Sequence, residues 1–224
     1  MNIQEIYERY DKIGAFTFAT IEDGRPRTRI AHLFAYDDEG LYFRTMTVKP
    51  FYAQLKKTEK VAISGMYPNS SVSHDENGMP EWEPGYTVNL TGDVREVSLD
   101  VLKQKAEGRP MFELGVKDIE RYPALTTFCI HRGFGEVYDF DFEKKNRPDK
   151  LIRIPLSFGG IDMPFRGIRI SDNCVGCGSC IEGCTFNAIS VDDDVYKINH
   201  SKCDACGDCY TVCPVDAIDV VNEG

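Results

Sequence analysis

Apolar residues at Ile3, Ile6, Tyr7 and Tyr10 predict a short helix over residues 2–12, ended by Gly14. The period then switches from helical to alternating. A-F-T-F-A-T-I reads as a strand, E-D-G-R-P supplies an Asp-Gly hairpin turn, and R-T-R-I-A-H-L-F-A-Y returns as a second strand. D-D-E-G turns again and L-Y-F-R-T-M forms a third strand, which makes an antiparallel meander. Residues 50–57 follow as a helix with Phe51 and Leu55 on one side, then V-A-I-S-G-M-Y as a fourth strand. Residues 68–85 are a long polar loop, a length more typical of functional or mobile segments. Y-T-V-N-L-T-G-D-V-R-E-V is a fifth strand with Gly92 as a bulge or bend. Residues 98–108 read as a helix with Ser98 as N-cap and Asp100 in the first turn. T-T-F-C-I-H-R and E-V-Y-D-F supply the last strands. Many short strands with few small helices predict a mainly β, closed antiparallel barrel rather than an α/β sheet.

Periodicity ends there. Residues 143–167 carry three prolines and three glycines and show no regular repeat. They read as an interdomain connector whose apolar content packs on something. The expected organisation is a barrel domain over 1–142, this connector, and a small C-terminal domain over 168–224.

The C-terminal part is a duplication. C-V-G-C-G-S-C-I-E-G-C-T and C-D-A-C-G-D-C-Y-T-V-C-P share the spacing C-x2-C-x2-C-x3-C. Cys174, Cys177, Cys180 and Cys184 recur as Cys203, Cys206, Cys209 and Cys213, and Asn187-Ala188-Ile189 recurs as Asp216-Ala217-Ile218. A 4Fe–4S cube takes four thiolates from different directions. One tight loop with two-residue spacers covers three corners, and the fourth comes from elsewhere. Gly176, Gly178, Gly183 and Gly207 suit backbone that bends closely around inorganic sulfide. Zinc would instead call for one four-cysteine set of paired C-x2-C motifs. A disulfide framework would require an oxidising compartment.

The spacing resembles that of bacterial two-4Fe–4S ferredoxins over residues 168–222, an α+β domain. In that family the fourth cysteine of each run serves the other cluster. The resemblance implies Cys174, Cys177, Cys180 and Cys213 for one cluster, and Cys203, Cys206, Cys209 and Cys184 for the other. Thr185 stands where the second run has Pro214, a turn position that holds no ligand.

Composition narrows the setting. The chain has 224 residues and a net charge of −10. From Ile168 onward three bases face ten acids, whereas 143–167 is net basic. An acidic C-terminal end repels nucleic acid. It suits either docking to a basic redox partner or a plain solvated face. No run of 18 apolar residues predicts a membrane span, and the polar N-terminus lacks the form of a secretory signal. Of nine cysteines only Cys129 lies outside the runs, in a strand, where it reads as an inert small residue. A reducing cytoplasm is the expected home.

A second cluster of residues lies in the barrel. G-R-P-R-T-R-I-A followed by D-D-E-G-L-Y-F-R-T-M-T-V-K-P-F-Y-A-Q-L resembles the pyridoxamine 5′-phosphate oxidase-like split-barrel flavoproteins. The resemblance spans residues 1–142 and implies a Greek-key split barrel that binds FMN, commonly at a homodimer interface. Its pattern falls here on Pro26, Arg29, Thr45, Thr47, Lys49 and Leu55. A phosphate dianion calls for fixed cations and hydroxyl donors converging from adjacent strands, so Arg29, Thr45, Thr47 and Lys49 are the candidate pocket, with Arg27 and Arg44 beside them. The plainer alternative puts Arg25, Arg27 and Arg29 on one solvated strand face. Gln54 either reaches the ring edge or is an exposed helix residue. Trp82 either covers a partner's site or anchors its own loop.

Together the two halves imply an iron–sulfur flavoprotein oxidoreductase. Two 4Fe–4S clusters would pass single electrons between a soluble partner protein and FMN, which would reduce or oxidise a small molecule. Oxygen damage to exposed clusters argues for an anaerobic setting and against pyridoxamine phosphate oxidation itself. The alternatives are an electron carrier or redox sensor without its own substrate, or a barrel that holds haem or the deazaflavin F420.

Overall fold

The computed structural model describes residues 1–68, 73–81, 83–140, 151–164 and 166–222; Trp82, Phe165 and residues 69–72, 141–150 and 223–224 lie outside them. Helix α1 (Ile3–Ile13) starts at a capping box, with Glu5 N–H donating to Asn2 Oδ1 (2.8 Å) and Asn2 N–H to Glu5 Oε2 (2.9 Å). It buries Ile6, Tyr7, Tyr10 and Ile13. The Tyr10 hydroxyl reaches the carbonyls of Ile63 (3.2 Å) and Val88 (3.3 Å), which fixes the helix against the sheet.

That sheet has eight antiparallel strands: β1 (Phe16–Glu22), β2 (Arg25–Ala31), β3 (Leu33–Asp37), β4 (Gly40–Met46), β5 (Lys60–Tyr67), β8 (Tyr86–Val97), β9 (Leu125–Asp139) and β10 (Arg153–Phe158), while β6 (Ser73–His74) and β7 (Pro80–Glu81) pair with each other apart from it. Their order is β2-β1-β5-β8-β9-β4-β3, with β10 also on β9. β4 and β5, consecutive in the chain, are separated by β8 and β9, and helix α2 (Pro50–Thr58) makes this Greek-key crossing. Inward residues of β1, β4, β5, β8 and β9 close around Phe18, Phe43, Phe51, Leu55 and Phe128. Phe18 and Phe43 rings sit 5.0 Å apart and Phe43 and Phe128 5.8 Å, so the split barrel has a packed aromatic interior. On the outer face Tyr42 and Cys129 pack against Leu102 of α3 (Leu99–Ala106) and Phe112 of α4 (Pro110–Arg121).

Four elements differ from the sequence reading. The long second strand breaks at His32 into β2 and β3, which lie at opposite ends of the sheet order. The two last strands are one strand, β9, whose N-terminal half pairs with β4 and C-terminal half with β10. The connector supplies β10, where Leu156 is buried and Ile154 and Phe158 pack beside it in spite of Pro155. Proline is tolerated there because β10 pairs on one side only. Helix α4 carries no sequence prediction. Only Phe112 among its large side chains is buried, and its interior Gly115 weakens the helical signal.

The C-terminal part repeats a small unit. β11 (Arg166–Ile170) pairs with β14 (Ile218–Asn222), β12 (Ile189–Asp192) with β13 (Val195–Ile198), and α5 (Ser179–Glu182) answers α6 (Asp208–Val212). Its core is Ile168, Ile189 and Ile218 with Cys180 and Cys209. Ile152 N–H and Arg153 N–H both donate to Ser201 O (2.8 and 3.0 Å), which joins this unit to the barrel.

Close backbone approach makes one β9 position intolerant of a side chain. A Cβ on Gly135 would lie 1.9 Å from Asn89 O of β8. Gly135→Ala is expected to destabilise the barrel by about 2 kcal/mol or more, read as a fall in the thermal midpoint. An unchanged midpoint would show that β8 and β9 separate there at no cost.

Candidate cofactor sites

The cysteines fall into two groups, each around its own small cavity. One is lined by Cys174, Cys177, Cys180 and Cys213, with Ile170, Tyr196 and Ile218. The other is lined by Cys203, Cys206, Cys209 and Cys184, with Ile168, Phe186 and Ile198. Each set takes three thiols from one run and one from the other. The loops that place them follow the duplication in backbone detail. Gly178 and Gly207 have φ of 81° and 85°, and Gly176 (71°) is answered by Ala205 (63°), a left-handed position held there by a residue with a Cβ. Asn187 and Asp216 match at 49° and 51°.

Backbone amides point at the sulfurs. Ala188 N–H donates to Cys184 Sγ (3.3 Å), Ala217 N–H to Cys213 Sγ (3.2 Å) and Ala205 N–H to Cys203 Sγ (3.3 Å). Burial pushes the Cys209 thiol up to about 11 and raises Cys180 and Cys203. Cys177 is exposed, and its pKa is lowered by hydrogen bonds from Ser179. Four soft thiols in an apolar wall, with N–H groups aimed at sulfur, fit an iron–sulfur cluster by donor type and surroundings.

The barrel residues assemble less completely. Arg29 lies over the Phe51 ring at 4.0 Å and donates to Thr20 Oγ1 (2.8 Å) and Gln54 Oε1 (2.7 Å). Thr20 donates to the same Gln54 oxygen (2.6 Å), and Gln54 Nε2 donates to Glu22 (3.1 Å). Arg27 pairs with the other Glu22 oxygen (2.9 Å). Gln54 is thus buried at the centre of a polar network rather than exposed on its helix. The signal for Thr20 was in the alternation, two residues after inward Phe18. Thr45 is buried on the inner face of β4, while Thr47 and Lys49 are exposed where β4 passes into α2. Lys49 is the N-cap residue of α2 and makes no ion pair among the described residues.

Arg44 does not join them. Strand alternation turns it to the outer face, where it lies over Phe34 at 4.6 Å and pairs with Asp118 of α4. The sequence reading could not see this, because α4 and its acid carried no prediction. Cys129 is buried among Tyr42 and Leu102, and burial pushes its thiol up to about 11, in keeping with an inert packing role.

A third polar cluster forms where the two parts meet, and no sequence motif announces it. Arg153 Nε donates to Cys203 O (3.1 Å), Nη2 to Asp204 O (3.1 Å) and Nη1 to Glu136 Oε1 (2.6 Å). Its guanidinium carbon lies 5.0 Å from the Tyr138 ring, and the Tyr138 hydroxyl donates to the Asp204 carboxylate.

Residues 169–220 match the family described as "4Fe-4S dicluster domain". Over 48 residues the chain is 42% identical to "Ferredoxin-type protein NapF" of Haemophilus influenzae, a stretch covering 21% of this chain and 26% of that protein. The chain therefore spans only about a quarter of that curated relative's length. Among solved structures, a nimC/nimA family protein from Clostridium acetobutylicum is similar with a TM-score of 0.49 and 21% identity, over 70% of this chain and 92% of that one. Another Clostridium acetobutylicum protein, related to general stress protein 26 and of the pyridoxinephosphate oxidase family, gives 0.40 and 17%, over 69% and 92%. Residues 169–220 are a 4Fe–4S dicluster domain, carried in one chain with a mainly β split barrel.

Proposed function

We propose that the protein is an iron–sulfur flavoprotein oxidoreductase that passes electrons between a soluble partner protein and FMN through two 4Fe–4S clusters. The observation that carries this reading is the sorting of eight cysteines into two four-thiol cavities, each completed by the other run. Cys174, Cys177, Cys180 and Cys213 hold one cluster; Cys203, Cys206, Cys209 and Cys184 hold the other. The exposed, acidic C-terminal surface suits a partner with a basic docking face, and electrostatic steering of that kind speeds encounter.

For FMN, the exposed Thr47 and Lys49 at the start of α2 offer a hydroxyl and a cation to a phosphate, beside the positive end of the helix. Arg29 and Arg27 add charge from β2, and Thr45 is the remaining candidate, on β4; Arg44, turned to the other face, is left out. Thr20 and Gln54 hold the Arg29 guanidinium, so it is fixed before any ligand arrives. When bound, FMN exchanges electrons singly or in pairs, which suits a link between one-electron carriers and a small-molecule substrate. In this reading the barrel over 1–142 and the dicluster domain over 168–224 act together, in a homodimer in the cytoplasm. Among the described residues no helix is long and apolar enough to cross a membrane.

Two sets of variants test the reading in protein purified without oxygen. Cys184→Ala should damage the cluster of the second run and Cys213→Ala that of the first, followed by paramagnetic resonance of the reduced protein. Damage confined to each mutated run would overturn the crossed ligand sets. Arg29→Ala and Lys49→Ala should each weaken FMN binding about tenfold, roughly 1.4 kcal/mol, with iron content unchanged. Fluorescence titration reads the flavin, and unaltered affinity in both variants removes the phosphate pocket. Mass analysis of the released cofactors gives the broadest check: FMN near one per chain with about eight irons is expected, and haem or a deazaflavin in its place sinks the flavin reading.

A further inference from the structure

The two cysteine runs are alike in spacing and backbone, but their surroundings differ. The second-run loop is gripped by a cation from the barrel. Arg153, on β10, donates to the carbonyls of Cys203 and Asp204 (both 3.1 Å) and to Glu136 of β9 (2.6 Å). The first-run loop is touched instead by a neutral group, the Tyr196 hydroxyl on Gly176 O (3.0 Å). Among the described residues no cation is hydrogen-bonded to the carbonyls of Cys174 and Val175, which correspond to Cys203 and Asp204. Arg153 and Glu136 are partly buried, with 31% and 24% of their side chains exposed, so solvent screens them less than a surface pair.

From this asymmetry we infer that Arg153 is a positioning residue that makes the second-run cluster the barrel-facing one and raises its reduction potential. The inference rests on the cluster assignment proposed above. Its physics is direct. Reduction adds negative charge to a cluster, and a fixed guanidinium favours the more negative state. Hydrogen bonds to the carbonyl of a ligand residue also fix the loop that carries Cys203 and Cys206. Tyr138, donating to Asp204, supplies a second anchor from the adjacent strand. Glu136 opposes the cation, so the two residues pull the potential in opposite directions. The first-run cluster is then the outer one, placed for exchange with the partner protein.

The test is a redox titration of the loaded full-length protein followed by paramagnetic resonance, with the first-run cluster as internal reference. Its signal is identified as the one that Cys177→Ser alters. Arg153→Gln should lower the potential of the second-run cluster alone, and Arg153→Lys, which keeps the charge, should lower it less. Glu136→Gln should raise the same potential and disturbs the loop least, so it decides the matter if Arg153→Gln loses iron. Amide exchange at residues 203–206 should quicken in Arg153→Gln while that at 174–177 stays constant. Equal shifts of both clusters, or no shift in Glu136→Gln and Arg153→Lys, overturn the inference. A wild-type protein without two reducible clusters overturns the underlying assignment instead, and the two failures are told apart by iron content before any titration.

Discussion

Strand β9 is the constraint on which the rest of the molecule depends. One edge pairs along its length with β8, while the other is shared, first by β4 and then by β10. A strand with three neighbours lets a sheet curl and split without leaving its longest member unpaired. The same sharing brings the chain after the barrel back to the sheet as β10. From there Ile152 and Arg153 reach Ser201, so the dicluster part is tied to the barrel by backbone hydrogen bonds as well as by sequence.

The dicluster part is small, and its core joins three isoleucines to two of the cysteines themselves. Domains of this size bury too little apolar surface for comfort and usually draw on metals or disulfides. Filling the two thiol cavities would therefore be a folding event as much as a functional one, because ligand bonds form only in the folded arrangement. Burial of Cys180, Cys203 and Cys209 disfavours the thiolate in the folded protein without iron. Iron must supply the free energy to displace those protons.

Polar groups in the barrel follow a similar logic of mutual support. Arg29, Thr20, Gln54 and Glu22 each satisfy another's hydrogen-bonding group, which is the condition under which such groups tolerate burial. Lys49 and Thr47, by contrast, stand in solvent at the head of α2. The first group is held by its own hydrogen bonds, and the second is exposed. At the junction Arg153 donates to two carbonyls and a carboxylate and lies against the loop of the second cysteine run.

Sequence alone determined what depends on local spacing. The duplicated cysteine runs, the first helix, the Ser98-capped helix at Leu99, and the alternating strands of the barrel were legible because period and turn chemistry act within a few residues. Tertiary structure decided what depends on which strand edge and which face a residue meets. His32 divides one apparent strand because its two halves pair at opposite ends of the sheet order. Arg44 is lost from the candidate pocket because α4 places Asp118 on its side of β4. Gln54 is drawn inward because Arg29 and Glu22 arrive from β2 and β1 to satisfy it. Arg153 acquires a role only when a segment without periodicity pairs with β9 and meets a loop 50 residues further on. Such contacts are set by long-range pairing, and no window of neighbouring residues contains them.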